Sequence, residues 1–113
     1  MPHRRRISLV IPFYNEEENV DNTLAAISGI VDSTRYDWEL IAINDGSRDA
    51  TLAKLQAARP TSFELVVVDL SRNFGKEAAL SAGLSRATGD AVIPLDADLQ
   101  DPPELIAESP RVS

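Results

Sequence analysis

Asp90-Ala91-Val92-Ile93-Pro94-Leu95-Asp96-Ala97-Asp98-Leu99-Gln100-Asp101 sets a short apolar run against a cluster of carboxylates. The apolar part has the composition of a strand buried on both faces. Unpaired carboxylates cannot stay in such an interior. The chain therefore has to surface at Asp96, at the carboxyl end of the strand, which in open α/β sheets is the edge where ligands bind. Asp96 and Asp98, spaced i, i+2, with Gln100 close behind, offer oxygen atoms suited to a hard divalent cation that also holds phosphate. For an isolated Asp-x-Asp a plain polar turn is the simpler explanation, because turns favour Asp.

Three more strands are expected before this one. Residues 7–12 form the first, a run of Ile, Leu and Val that Pro12 stops. A helix follows, opened by Asn15 and Glu18 as a capping box, with Glu16, Glu17 and Glu18 in its first turn. Val20, Leu24, Ile27 and Val31 give it one apolar stripe, and Gly29 marks its end or a break near it. The second strand spans 38–43 and leaves through Asn44-Asp45-Gly46-Ser47. Ser47 or Asp49 caps a second helix carrying Leu52, Leu55 and Ala58 on one face, which Pro60 ends. The third strand lies within 63–70, followed by the loop Ser71-Arg72-Asn73-Phe74-Gly75 and a helix over 76–87. Gly83 inside that helix costs about 1 kcal/mol relative to Ala and allows close packing on the sheet; Gly89 fits its C-cap. The fourth strand covers 91–95, and Pro102-Pro103 opens a further helix. The order βαβαβαβ, with connections too long for hairpins, demands parallel strands and right-handed crossovers. The expected fold class is α/β, an open, mostly parallel sheet with helices on both faces.

Composition narrows the function. The chain has 113 residues, the length of one domain, and buries roughly two thirds of its unfolded surface. A net charge of -7 argues against a general nucleic-acid binder. With no cysteine there is no disulfide and no thiolate metal site. His3 is the only histidine, which argues against a histidine metal site or a Ser-His-Asp triad. No apolar run reaches the ~18 residues of a spanning helix, and no signal peptide is visible. The cluster Arg4-Arg5-Arg6 reads as a solvated tail, or as a contact for an anionic membrane surface.

Three polar loops, Tyr14-Asn15-Glu16, Asn44-Asp45-Gly46-Ser47 and Asp96-Ala97-Asp98-Leu99-Gln100, each follow a strand, so a parallel sheet gathers them on one edge. Independent turns have no need to converge. The first loop lacks the Gly-x-Gly-x-x-Gly of dinucleotide folds, and no P-loop is present. The chain offers instead an aromatic ring (Tyr14), acceptors for base or ribose donors (Glu16, Asp45) and a metal-competent pair (Asp96, Asp98). That is equipment for a nucleoside diphosphate compound. Tyr14 as plain packing, Glu16 as a helix-dipole partner and Gln100 as a solvated side chain are the bland alternatives. Lys76, at a helix start, can approach phosphate or remain a surface lysine.

Val10-Ile11-Pro12-Phe13-Tyr14-Asn15-Glu16, Asn44-Asp45-Gly46-Ser47-Arg48-Asp49 and Asp96-Ala97-Asp98 resemble, in order and spacing, the amino-terminal nucleotide-binding half of a family 2 glycosyltransferase with the Rossmann-like GT-A fold. The segments 70–80 and 98–106 look most like the polyprenyl-phosphate sugar transferases, which include bactoprenol glucosyltransferases and dolichol-phosphate mannosyltransferases. The resemblance covers about residues 7–106. Asn44 departs from the acidic residue more usual there. The resemblance implies that Pro12, Tyr14 and Glu16 line the base and ribose pocket. Ile43 and Asp45 would contact the base, and Asp96 and Ala97 would lie against the nucleotide sugar. Asp98 and Gln100 would bind Mg²⁺ or Mn²⁺.

The implied reaction is metal-dependent, inverting sugar transfer from a nucleotide sugar to a polyprenyl phosphate, in the cytoplasm or at the cytoplasmic face of the plasma membrane, as in the building of cell-envelope glycans. The lipid phosphate is already anionic, so alignment and leaving-group stabilisation are the main tasks. No catalytic base is assigned, and Asp98 would assist departure of the leaving group through the metal. The expected division is a basic tail at 1–6, a truncated domain at 7–108 and an atypical tail at 109–113. Family members are longer, so acceptor recognition and membrane association would reside in a missing carboxy-terminal part. The chain then reads as a gene fragment or a truncated or frameshifted product, with a sheet edge exposed to self-association. The alternatives are a nucleotide-sugar and metal binding fragment without transferase activity and, more remotely, a nucleotidyltransferase.

Overall fold

The structure, a computed structural model, describes residues 5–97. Within them the chain alternates strand and helix: β1 (Arg6–Phe13), α1 (Val20–Val31), β2 (Asp37–Asp45), α2 (Thr51–Ala57), β3 (Glu64–Leu70), α3 (Lys76–Leu84) and β4 (Ala91–Pro94). All strand pairs are parallel, in the order β3-β2-β1-β4. The expected βαβαβαβ sheet is therefore formed. The chain winds outward from β1 through β2 to β3, then returns to place β4 on the other side of β1. That reversal opens a crevice between the loops leaving β1 and β4.

Alternation along the strands sorts the core into two layers. Ile7, Leu9, Ile11 and Phe13 of β1 join Trp38, Leu40 and Ala42 of β2 in one cluster with Val20, Leu24, Ile27, Ile30 and Val31 of α1. Val10, Ile41 and Ile43 face the other way and pack with Ala79 of α3. Burying a side chain such as Leu9 or Ile41 stabilises the fold by roughly 1.5–3 kcal/mol. The expected stripe on α1 is buried as read, and Gly83 serves the close packing expected of it. A Cβ there would lie 2.5 Å from both Ile43 Cδ1 and Val10 Cγ1.

Several local expectations are corrected. Pro12 does not stop β1, which runs on to Phe13. The Val10 carbonyl accepts from the Leu95 N–H at 3.0 Å. Pro12, two residues on, faces the same side, where pairing with β4 has ended. Its missing N–H therefore costs no ladder bond. β2 extends to Asp45, so Asn44 and Asp45 are strand residues rather than turn residues. α1 begins at Val20, not at Asn15, and Gly29 lies inside it. Asn15 is held out of the helix by bonds to the next loop. Neither Ser47 nor Asp49 is the N-cap of α2, which follows Ala50 and ends at Ala57, before Pro60. α3 ends at Leu84 with Ser85 as its C-cap, so Gly89 is no cap. Gly89 instead passes so close to β1 that a Cβ would sit 2.6 Å from Ser8 Oγ.

Arg6 is not part of a solvated tail. It begins β1, and its guanidinium donates to Asp37 at 2.6 Å, to Glu39 at 3.0 Å and to Glu64. Those carboxylates raise its pKa further above the usual guanidinium range. Glu39, almost fully buried, also accepts from Ser8 Oγ at 2.5 Å and from the Thr88 N–H at 2.6 Å. Burial alone pushes Glu39 up, but these hydrogen bonds outweigh it and hold the carboxyl below its ordinary value. This network ties the amino-terminal ends of β1, β2 and β3 together, at the edge opposite the crevice.

Candidate functional site

The loop after β1 is fastened to the loop after β2. Asn15 takes a left-handed backbone (φ 51°), which Asn tolerates better than most residues. Its N–H donates to Ser47 Oγ at 2.9 Å, and its Oδ1 accepts from the Arg48 N–H at 2.8 Å. The Glu16 N–H donates to Thr51 Oγ1 at 2.9 Å, and the Glu17 N–H to Asp49 Oδ2 at 3.3 Å. Desolvation raises the Asp49 pKa, but donors from Thr51 and Glu17 outweigh it and leave the carboxyl below its ordinary value. The Glu16 side chain, steadied by Asn19 Nδ2 at 2.6 Å, is thereby presented to the crevice rather than spent at the start of a helix.

Asp45 organises the loop after β3. Its Oδ1 accepts from the Phe74 N–H at 2.8 Å, and its Oδ2 from the Gly75 N–H and Asn73 Nδ2, both at 3.1 Å. Only 2% exposed, the carboxylate sets the position from which α3 begins. Gly46, next in sequence, has φ +68°, and a Cβ there would lie 2.2 Å from the Asn73 backbone nitrogen. No other residue type allows the two loops to approach so closely. On the far side of the crevice, Thr23 Oγ1 of α1 donates to the Ala97 carbonyl and pins the exit of β4.

These loops enclose a cleft of about 500 Å³ lined by Pro12, Tyr14, Glu16, Asp45, Asn73, Gly75, Lys76, Asp96 and Ala97. Pro12, Tyr14, Glu16, Asp45, Asp96 and Ala97 come together as the sequence suggested. Ile43 does not: fully buried between the sheet and Gly83, it lends the cleft no surface. Asp98 and Gln100, and the helix expected at Pro102-Pro103, lie outside the described residues. Asn73 and Gly75 were not anticipated as lining residues. Their signal was available, since they too follow a strand of a parallel sheet. Lys76, the first residue of α3, forms an ion pair with Asp96 at the cleft.

The arrangement combines an exposed ring (Tyr14, 45%), carboxylates and one ammonium. The described residues alone contain no group of three or more metal-ligating side chains. Asp96, the described carboxylate at the β4 exit, offers oxygen atoms of the kind a hard cation takes. Asp96 stands exposed there, whereas the oxygens of Asp45 are committed to N–H donors.

The family model described as Glycosyl transferase family 2 matches residues 8–108. The uncharacterized glycosyltransferase sll0501 of Synechocystis sp. is 51% identical over 102 residues, which is 90% of this chain and 32% of that protein. The prophage bactoprenol glucosyl transferase homolog of Escherichia coli is 46% identical over 101 residues, covering 89% of this chain and 33% of that one. Among solved structures, the mannosyltransferase PcManGT from Pyrobaculum calidifontis, in complex with GDP-Man and Mn²⁺, superposes with a TM-score of 0.75 at 30% identity. That match covers 85% of this chain and 28% of the other. The chain thus spans about a third of the length of the curated relatives it matches. Its parallel sheet is that of the GT-A glycosyltransferases, and the chain belongs to glycosyltransferase family 2.

Proposed function

We propose that this chain supplies the donor-binding part of an inverting glycosyltransferase that moves a sugar from a nucleotide sugar to a polyprenyl phosphate at the cytoplasmic face of a membrane. The observation that carries the reading is the convergence of Tyr14, Glu16, Asp45, Asp96 and Ala97 on one cleft at the switch point of the sheet. The similarity to a bactoprenol glucosyl transferase homolog supports the lipid phosphate acceptor, and the GDP-Man and Mn²⁺ complex supports a nucleotide-sugar donor and a divalent cation.

Pro12 and Tyr14 give the base an apolar wall and a ring to stack on. Glu16 accepts from ring N–H or ribose hydroxyl groups. Asp45 acts chiefly by fixing the start of α3, and Asp96 and Ala97 form the floor beneath the sugar. Asp98 and Gln100 are the residues to hold Mg²⁺ or Mn²⁺, which when bound neutralises charge on the departing diphosphate. The lipid phosphate arrives as an anion, so the chain's own task is to align the donor and exclude water rather than remove a proton.

Calorimetry with UDP- and GDP-sugars in manganese buffer tests donor binding, and radiolabelled sugar transfer to polyprenyl phosphate tests the reaction. Donor binding without labelled lipid assigns this chain binding alone. Asp98→Ala is expected to abolish the metal-dependent part of nucleotide binding while leaving the circular dichroism spectrum unchanged. Undiminished binding in manganese would remove Asp98 from the metal site.

A further inference from the structure

We propose that Asp49 and Thr51 are positioning residues of the cleft, which set the strength of nucleotide binding without touching the ligand, by fixing the backbone that carries Glu16. The inference rests on the nucleotide-sugar reading above and extends it to two residues at the entry to α2, outside the cleft lining.

The direction of each hydrogen bond carries the argument. Thr51 is fully buried, and its hydroxyl has one proton to give. Asp49 Oδ1 takes that proton and also accepts from the Thr51 N–H at 2.9 Å. An ionised carboxylate only accepts, so the hydroxyl cannot turn round. A lone pair of Thr51 Oγ1 is left for the Glu16 N–H, which donates to it at 2.9 Å. Asp49 Oδ2 accepts from the next N–H of the same loop, that of Glu17, at 3.3 Å. Two consecutive N–H groups after β1 are thus gripped from the entry to α2. The start of α1 holds Glu16 from its other end. The Glu16 carbonyl accepts from the N–H groups of Asn19 at 2.8 Å and Val20 at 3.1 Å, and Oε2 accepts from Asn19 Nδ2 at 2.6 Å. Thr51→Val keeps the branched shape but removes the acceptor, so the Glu16 N–H loses its partner. The loop then moves to reach water and takes the carboxylate with it. A hydrogen bond from a ligand to that carboxylate weakens steeply as its geometry is lost.

The test is calorimetry with UDP and GDP in manganese buffer, with a thermal melt of every variant. For whichever nucleotide binds, Thr51→Val is expected to lower affinity about three- to tenfold, the range of one neutral hydrogen bond. In a Glu16→Ala background the same change is expected to alter affinity less than about twofold, because the group it positions is gone. Thr51→Ser, which keeps the hydroxyl, is expected to restore affinity close to wild type. Asp49→Asn, whose amide nitrogen cannot accept from the loop, is expected to lower affinity only where Glu16 is present, and it decides the matter should Thr51→Val fail to fold. An equal loss in both backgrounds overturns the proposal, because the two residues then act on the fold at large. A loss in Thr51→Ser as large as in Thr51→Val overturns it as well. Full affinity in Thr51→Val and Asp49→Asn beside a weakened Glu16→Ala overturns it while leaving the nucleotide reading intact. Undiminished binding by Glu16→Ala leaves nothing to position and overturns it too. Failure of wild type to bind either nucleotide overturns both readings.

Discussion

Two carboxylates that look alike in the sequence have different fates at the cleft. Asp45, read as an acceptor for the base, gives both oxygens to Asn73, Phe74 and Gly75. Glu16, open to reading as a helix-dipole partner, precedes the helix and lines the cleft. Residue type and spacing brought both to the correct edge, but only the donors of the β3 loop, far off in sequence, decide which is free for a ligand. Glu16→Ala should weaken nucleotide affinity by roughly 1–3 kcal/mol if it removes a buried hydrogen bond. Calorimetry showing no loss would return Glu16 to a structural role. Glu39 had drawn no attention in the sequence, where it is one carboxylate in a strand. Its folded pKa lies below its unfolded value, so its contribution to stability is complete above the unfolded value. That contribution is lost as pH falls through the depressed folded value. Thermal melts from neutral pH into the acid range should show a steep decline for wild type and a shallower one for Glu39→Gln. Parallel profiles would mean that Glu39 does not control acid unfolding.

At the scale of elements, the strands were readable because apolar runs bounded by charge have few other homes in an α/β chain. The helix ends were not. The Asn15–Glu18 spacing satisfies a capping box, yet Asn15 bonds to Ser47 and Arg48 instead, a tertiary contact that outbids the local one. Gly89 has the right residue type for a C-cap, yet its smallness serves the approach of Ser8. Ile43 carries a binding role by family resemblance, and its burial beneath α3 is decided by Gly83, forty positions later. Gly46 joins two elements in one residue, through its φ of +68° and its contact with Asn73. Gly46→Ala should cost roughly 2–4 kcal/mol in urea unfolding, combining left-handed strain with overpacking. A cost below ~1 kcal/mol would show that the β2 and β3 loops can part without harm.

For the molecule as a whole, the two faces of the sheet are unequally covered. α3 packs on β1, β2 and β3, whereas Val92 of β4 stays 38% exposed. Among the described residues β4 pairs with β1 alone, which leaves its outer edge open to another strand. Sedimentation velocity should therefore show self-association that grows with concentration, and Val92→Lys should suppress it. A sedimentation coefficient constant across the range would count against an adhesive edge. The fastening of the first crossover to the second reaches further. Asn15 and Glu16 draw their positions from Ser47, Arg48 and Thr51, so neither segment keeps its shape without the other. Exchanging either segment for a relative's would then require both to travel together, and a residue inserted into one would misplace the Glu16 side chain at the cleft, whose backbone depends on the neighbouring loop.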